Sequence, residues 1–249
     1  MIRNKNKDEN RRRLNCLNVP WSGLVALAGA MLPAVVLAEN IIGTPGPDFL
    51  EGTPEADTLN GKGGADIMMG LPGNDTYIVA QSDDEVIEAA GDGTDTIRTT
   101  VSYQLPIYVE NLTLVGAAEI NGTGNGLNNR LTGNAANNTL SGRAGADRMF
   151  GLGGNDTYIV DAEGDVVFET LDDGIDTVRS SVTHTLRSHV EALVLTGTTA
   201  ANGTGNDLAN AMTGNAGANI LKGMAGDDSL KGGGGDDRLI GGPGNDRLT

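Results

Sequence analysis

The chain of 249 residues contains 38 glycines but only 3% aromatic residues, so large side chains cannot fill a thick core. Its formal net charge of −16 argues against nucleic acid and anionic lipid as partners and favours cations. The glycines do not recur at every third residue, which excludes a collagen helix.

The first 38 residues have the order of a secretory signal peptide. Six Lys and Arg residues precede the apolar run WSGLVALAGAMLPAVVLA, which ends at the small residue Ala38. We expect cleavage after Ala38, an extracellular protein, and no membrane span in the mature chain. A retained anchor is the alternative, because the run is near the minimum spanning length. Cleavage removes Cys16, the only cysteine, and shifts the net charge to −20 because six basic and two acidic residues leave.

A nonapeptide repeat begins at Gly43 and returns in the same phase through the rest of the chain. Each repeat has glycine first, usually glycine fourth, Asp or Asn sixth and an apolar residue eighth. The aspartates at the sixth position are Asp48, Asp57, Asp66, Asp75, Asp147, Asp156, Asp228, Asp237 and Asp246. Four repeats carry Asn129, Asn138, Asn210 and Asn219 there instead. Because Asn keeps an acceptor oxygen but loses the charge, these turns are expected to bind metal weakly or not at all.

The repeats alternate with less regular segments. After the signal peptide, 1–38, we expect a first nonapeptide block at 39–79, an irregular β-solenoid spacer at 80–123, a second block at 124–160, a second spacer at 161–204 and a third block at 205–249. A gap-free duplication relates the copies, and it repeats the GNDTYIV of Gly73 at Gly154.

This repeat predicts an all-β fold, a parallel β-roll or β-solenoid built from glycine-rich nonapeptides. Glycines at positions one and four, often with a third at position two, are expected to allow the positive φ of a tight turn. The rest of the repeat forms a short strand whose middle side chain points inward. Two repeats then make one coil, which stacks Asp48 on Asp66 and Asp57 on Asp75.

Stacked turns bring carboxylates together. Neighbouring strands lie about 4.8 Å apart, and two unit charges roughly 5 Å apart repel by about 3 kcal/mol at an effective dielectric constant near 20. Turn carbonyls point to the same place, so the expected donors are all oxygens. Calcium prefers such flexible oxygen coordination, whereas magnesium needs a tighter octahedron and zinc prefers His or Cys.

The repeats resemble the RTX (repeats-in-toxin) calcium-binding nonapeptide G-G-x-G-x-D-x-U-x, most closely in KGGGGDDRLIGGPGNDRLT at the C-terminus. The resemblance implies Ca²⁺ held between stacked turns by sixth-position aspartates and by carbonyls of the glycine loop. Carried over by position, it nominates the nine aspartates above. It also nominates the glycines Gly43, Gly46, Gly61, Gly64, Gly70, Gly73, Gly223, Gly226, Gly232, Gly235, Gly241 and Gly244. The departures Glu55, at a fourth position, and the Asn turns beneath Asp147 and Asp156 favour sites around 43–75 and 223–246.

The sequence therefore predicts a secreted calcium-binding β-roll that folds on binding Ca²⁺ outside the cell. Its role would be structural or adhesive, with contact to a cell surface or extracellular matrix. Catalysis is not expected, since the chain has no H-E-x-x-H or G-x-S-x-G motif and only two histidines, His184 and His189. The alternative is a truncated RTX module of a larger secreted toxin or enzyme.

Overall fold

The computed structural model describes residues 37–171 and 173–249. Over these residues it contains 24 β-strands and no helix, which confirms the predicted all-β class. The signal peptide predicted for residues 1–38 lies outside the described residues, except for its last two. In the part of the chain that is described, no helix has the length and apolar character needed to cross a membrane.

The strands are short, and each follows a turn. In chain order they are β1 (Asn40–Ile42), β2 (Phe49–Glu51), β3 (Thr58–Asn60), β4 (Ile67–Met69), β5 (Thr76–Val79), β6 (Glu85–Ile87), β7 (Thr96–Thr99), β8 (Tyr103–Gln104), β9 (Asn111–Leu114), β10 (Gly122–Thr123), β11 (Arg130–Thr132), β12 (Thr139–Ser141), β13 (Arg148–Phe150), β14 (Thr157–Val160), β15 (Val166–Phe168), β16 (Thr177–Ser180), β17 (His184–Thr185), β18 (Ala192–Leu195), β19 (Gly203–Thr204), β20 (Ala211–Thr213), β21 (Ile220–Lys222), β22 (Ser229–Lys231), β23 (Arg238–Ile240) and β24 (Arg247–Leu248).

Odd-numbered and even-numbered strands form separate parallel sheets. The odd-numbered strands from β1 to β15 form one sheet of eight strands, and the even-numbered strands from β8 to β24 form one sheet of nine. Two smaller sheets, β17-β19-β21-β23 and β2-β4-β6, extend this arrangement. Within the repeats, each residue pairs with the one two nonapeptides later, as Leu50 does with Met68 and Leu59 with Tyr77. Two nonapeptides therefore make one coil of a β-solenoid, as predicted.

The irregular segments preserve this phase. Thr76 pairs with Thr96, Thr96 with Asn111 and Asn111 with Arg130. The individual steps are longer or shorter than two nonapeptides, but from Thr76 to Arg130 the chain advances by a whole number of coils. The nonapeptides at Gly124 consequently resume in register with those that end after Gly70.

The core is a thin column of the eighth-position side chains. Leu59, Met68, Tyr77 and Leu140 have no exposed surface, and their neighbours along each strand face outward. The prediction that the middle residue of each strand points inward is confirmed for these coils. At the last coil, however, Leu248 is 46% exposed.

Adjacent residues of β21 provide a matched test of this core. Leu221 is fully buried, whereas Ile220 beside it is 36% exposed. Leu221→Ala removes packed methyl groups from the column and is expected to cost about 2–5 kcal/mol of unfolding free energy. Ile220→Ala should cost much less. Urea unfolding in saturating calcium measures both, and equal losses would contradict the assignment of the core.

Candidate metal centres in the turns

The sixth-position carboxylates form a ladder of hydrogen bonds between coils. The Asp48 N–H donates to Asp66 Oδ1 at 2.9 Å, and the Asp57 N–H donates to Asp75 Oδ1 at 2.7 Å. The same bond, at 2.7–3.1 Å, joins the backbone of other turns to Asp147, Asp156, Asp165, Asp176, Asp228, Asp237 and Asp246. One oxygen of each carboxylate is thus committed to holding two coils together.

The other carboxylate oxygen has no such partner in five turns. Oδ2 is buried and accepts no hydrogen bond in Asp66, Asp75, Asp147, Asp156 and Asp228. A buried anionic oxygen without a partner is costly unless a cation compensates it. These five turns therefore fit a hard cation, because all the side-chain donors are oxygens and one of them is unmatched.

The first-position glycine provides space for this carboxylate. A Cβ on Gly61 would lie 2.7 Å from Asp66 Cγ, and one on Gly142 would lie 2.6 Å from Asp147 Cβ. The expectation of positive φ at position one is wrong, because none of these first-position glycines has it. Glycine is needed there for steric clearance.

The fourth-position glycines follow the expectation in part. Gly64 has a φ of 111°, and it packs against the backbone of Gly46 one coil earlier. Gly46 and Gly73 do not have positive φ, so the expectation is wrong for these two. A Cβ on Gly73 would instead lie 2.4 Å from the carbonyl oxygen of Glu55, so close packing of the coils requires glycine there.

The second residue of the turn distinguishes two turn conformations. In turns with an unmatched Oδ2, this residue is left-handed even though it is not glycine, as in Lys62 (φ 65°) and Arg143 (φ 64°). The same sign of φ is found at this position in Leu71, Leu152 and Met224. In the first two turns, by contrast, the N–H groups of Thr44 and Thr53 donate to the sixth-position carboxylate at 2.5 Å. The left-handed residue thus leaves the carboxylate oxygen free of a backbone donor.

The asparagine turns satisfy their own polar groups. Asn138 Oδ1 accepts the N–H of Asn134 at 2.8 Å, and Asn138 Nδ2 donates to the carbonyl of Ile120 at 2.7 Å. The corresponding pair of contacts is made by Asn129, Asn210 and Asn219. An amide supplies both a donor and an acceptor, so these turns need no cation.

The nominated aspartates fall into three groups in the structure. The first group consists of aspartates that each have an unmatched oxygen, namely Asp66, Asp75, Asp147, Asp156 and Asp228. Asp147 and Asp156 are therefore equivalent to the others in this group, despite the Asn turns beneath them. Asp237 and Asp246 follow glycines of positive φ at position two, Gly233 and Gly242, but they are partly exposed. Asp48 and Asp57 are instead bonded by threonine N–H and hydroxyl groups. The assignment of these aspartates and of the glycines beside them as calcium ligands stays a prediction.

Sequence reasoning missed four carboxylates, those of Glu88, Asp95, Glu169 and Asp176. Asp75, Glu88 and Asp95 place one oxygen each within 4.8 Å of one another, as do Asp156, Glu169 and Asp176. The signal was present in the sequence, because the second trio repeats the first at the offset of the GNDTYIV duplication.

Burial makes these carboxylates reluctant to ionise. Desolvation raises the pKa of Asp147 to about 7 and that of Asp156 to about 6, and the backbone N–H bonds only partly oppose it. Neighbouring acids, among them Asp165 and Asp176, raise both pKa values further. Desolvation also raises the pKa of Asp66, Asp75 and Asp228.

Comparison with known protein families finds a match in three stretches of the chain. The family model described as the RTX calcium-binding nonapeptide repeat, in four copies, matches residues 42–77, 123–158 and 213–248. Each matched range is as long as four nonapeptides and includes turns with unmatched aspartate oxygens. No relative is found among curated proteins.

Steric clearance at position one can be tested at Gly142. Gly142→Ala places a Cβ against the Asp147 carboxylate, so it should raise the calcium concentration at half-folding several-fold. Gly126→Ala is the control, because a Cβ there has no atom within 4 Å and its φ is not positive. Calcium titration followed by circular dichroism measures both. Equal midpoints for the two variants would contradict the role of Gly142.

The raised pKa values predict an unusual pH dependence without calcium. The folded-state pKa values of Asp147 and Asp156, about 7 and 6, exceed the ordinary value of about 3.9, so protonation favours the folded chain. Stability in calcium-free buffer should be greatest below about pH 4 and should fall as the pH rises through about 6 to 7. Far-UV circular dichroism in calcium-free buffer at pH 5 and pH 8 checks this, and more β-structure at pH 8 than at pH 5 would contradict it.

Proposed function

Because the chain belongs to the RTX calcium-binding nonapeptide repeat family, we propose that it is a secreted β-roll that folds when its turns bind Ca²⁺ outside the cell. The family and the β-solenoid make it a calcium-binding β-roll. Secretion, calcium-dependent folding and the role of the folded chain are the proposed part.

The unmatched oxygens of five buried aspartates are the observation that carries calcium-dependent folding. Asp66, Asp147 and Asp228 are each no more than 2% exposed, yet each keeps an oxygen without a hydrogen-bond partner. Burial of such charges opposes folding by several kcal/mol per ion. Bound calcium supplies the positive charge that compensates them.

Linkage makes this compensation a folding switch. A ligand that binds only the folded chain stabilises it by about 2.7 kcal/mol per site at a hundred times its dissociation constant. Extracellular calcium modules have dissociation constants on the order of 10⁻⁴–10⁻³ M. In a calcium-poor cytosol the uncompensated carboxylates of several such sites would keep the chain unfolded. After export, calcium bound at these sites would fold it.

Export is supported by the amino-terminal sequence. The basic segment, the apolar run and the small residue at Ala38 are typical of a secretory signal. Delivery to a calcium-rich compartment is what a chain with this charge balance requires in order to fold.

A structural or adhesive role fits the distribution of chemical groups. The buried carboxylates of the nonapeptide turns lie in the hydrogen-bond ladder between coils, where cation binding accounts for them. The folded solenoid would then present its outward-facing strand residues to a cell surface or an extracellular matrix.

Folding of the full chain with and without calcium tests the proposal. We expect the far-UV circular dichroism spectrum to gain β-structure on adding millimolar calcium and to lose it with a chelator. A variant with five Asp→Asn changes, at Asp66, Asp75, Asp147, Asp156 and Asp228, should lose the calcium response and bind fewer ions by calorimetry. The amide provides the donor and acceptor seen in the natural Asn turns.

A charge-matched control uses exposed acids. It carries amides at Glu51, Glu55, Glu119, Glu163 and Asp207, which are all exposed. This control should keep the calcium response of the wild type. If the wild-type spectra with calcium and with chelator were identical, or if the five-site variant bound as many ions as the wild type, the proposal would fail.

A further inference from the structure

A glutamate replaces the first-position glycine at the end of two repeat blocks. Gly70 and Gly151 each begin the last aspartate turn of their block, and the residues two nonapeptides later, one coil on, are Glu88 and Glu169. Within the blocks the first position carries glycine because a Cβ there would collide with the sixth-position carboxylate. Here a side chain with its own carboxylate occupies the position instead.

The coil that carries this glutamate is also longer. Asp75 donates its N–H to Asp95, 20 residues later, whereas the distance is 18 residues inside the blocks. The two extra residues alter the turn that follows Glu88. In an ordinary coil the carbonyl of the first-position glycine lies close to the glycine one coil earlier. A Cβ placed on Gly43, for example, would lie 2.8 Å from the carbonyl oxygen of Gly61.

Three carboxylates meet at this point in each copy. Asp75, Glu88 and Asp95 each place one oxygen within 4.8 Å of the others, and all three are buried. The Tyr77 hydroxyl donates a hydrogen bond to Glu88 Oε1. The second copy repeats the arrangement with Asp156, Glu169 and Asp176, and the Tyr158 hydroxyl donates to Glu169 Oε1.

The hydrogen bonds leave two oxygens of each cluster unmatched. Asp75 is 1% exposed and Glu88 is 9% exposed, yet Asp75 Oδ2 and Glu88 Oε2 accept no hydrogen bond. Asp156 Oδ2 and Glu169 Oε2 are in the same condition. A Cβ on Gly151 would lie 2.6 Å from Glu169 Oε1, so the glutamate extends into the space that a side chain on Gly151 would occupy.

We propose that Asp75, Glu88 and Asp95, and likewise Asp156, Glu169 and Asp176, form a second class of calcium site that closes the row of turn sites at the end of a block. The inference rests on the proposed function, since it assumes that the turns themselves bind calcium. In this class a glutamate carboxylate takes the place of the glycine-turn carbonyl. Three carboxylates provide only oxygen donors, which suit a hard cation that tolerates flexible coordination. Calcium meets this description better than magnesium or zinc does.

Calcium stoichiometry of the full chain is the first test. The double variant E88Q/E169Q keeps the size of each side chain but removes its charge, and it should bind two fewer ions than the wild type by isothermal titration calorimetry, one for each cluster. The matched control E119Q/E163Q changes two exposed acids and should keep the wild-type number. An unchanged stoichiometry in E88Q/E169Q would overturn the inference.

Terbium luminescence provides a second readout that depends on position. Tb³⁺ replaces calcium at oxygen sites and emits when an excited aromatic side chain lies beside it, with an efficiency that falls steeply with distance. The chain has four tyrosines, and the hydroxyls of Tyr77 and Tyr158 bond the proposed ligands. We expect Y77F/Y158F to lose most of the sensitised emission without losing calcium ions, because the hydroxyl is not a ligand.

The control for this readout is the other pair of tyrosines. The Tyr103 hydroxyl donates to the Asp84 carbonyl and Tyr108 is 39% exposed, so neither hydroxyl bonds a cluster. Y103F/Y108F should keep the emission, and equal emission from both double variants would contradict the inference.

A wild-type chain that neither binds calcium nor folds with it would refute the proposed function. Full calcium-dependent folding with unchanged stoichiometry in E88Q/E169Q would refute only the closing sites.

Discussion

The two oxygens of each sixth-position carboxylate have different partners, and the rest of the solenoid depends on that difference. Oδ1 accepts the backbone N–H of the residue one coil earlier, as Asp75 does from Asp57 at 2.7 Å, so it fixes the stacking of the turns. In five turns Oδ2 is then buried without a hydrogen-bond donor, those of Asp66, Asp75, Asp147, Asp156 and Asp228. The hydrogen bond that joins the coils therefore leaves a buried oxygen in each of these turns that fits a cation.

The asparagine turns complete their hydrogen bonding without metal. Asn138 uses one amide group to accept from Asn134 and to donate to Ile120, whereas Asp156 in the next coil keeps an unmatched oxygen. An amide at the sixth position thus completes its own turn, whereas the carboxylate of Asp156 does not. Both kinds of turn occur along one chain while the sheets remain continuous.

The coil of two nonapeptides determines where the duplicated residues lie. The duplication offset, which carries Tyr77 onto Tyr158, equals an odd number of nonapeptides, so equivalent residues belong to opposite sides of the solenoid. Tyr77 lies on β5 in the sheet of odd-numbered strands, and Tyr158 lies on β14 in the sheet of even-numbered strands. The acidic turns are consequently shared between the two edges. This arrangement places the Asp75 and Asp156 clusters on different edges.

The sequence by itself determined the β-solenoid, the pairing of Asp48 with Asp66, and the inward direction of Leu59, because a strict nonapeptide period leaves few geometries for a chain with so little bulk. It did not reveal that Gly61 is required for clearance, since that depends on where the Asp66 carboxylate lies after the coils stack. Nor did it separate Asp57, which Thr53 satisfies, from Asp75, which has an unmatched oxygen. Glu88 and Asp95 are separated from Asp75 along the chain, and the stacking of the coils brings the three together. The tertiary structure decided these points because hydrogen-bond satisfaction and burial are properties of stacked coils, whereas the period is a property of one repeat.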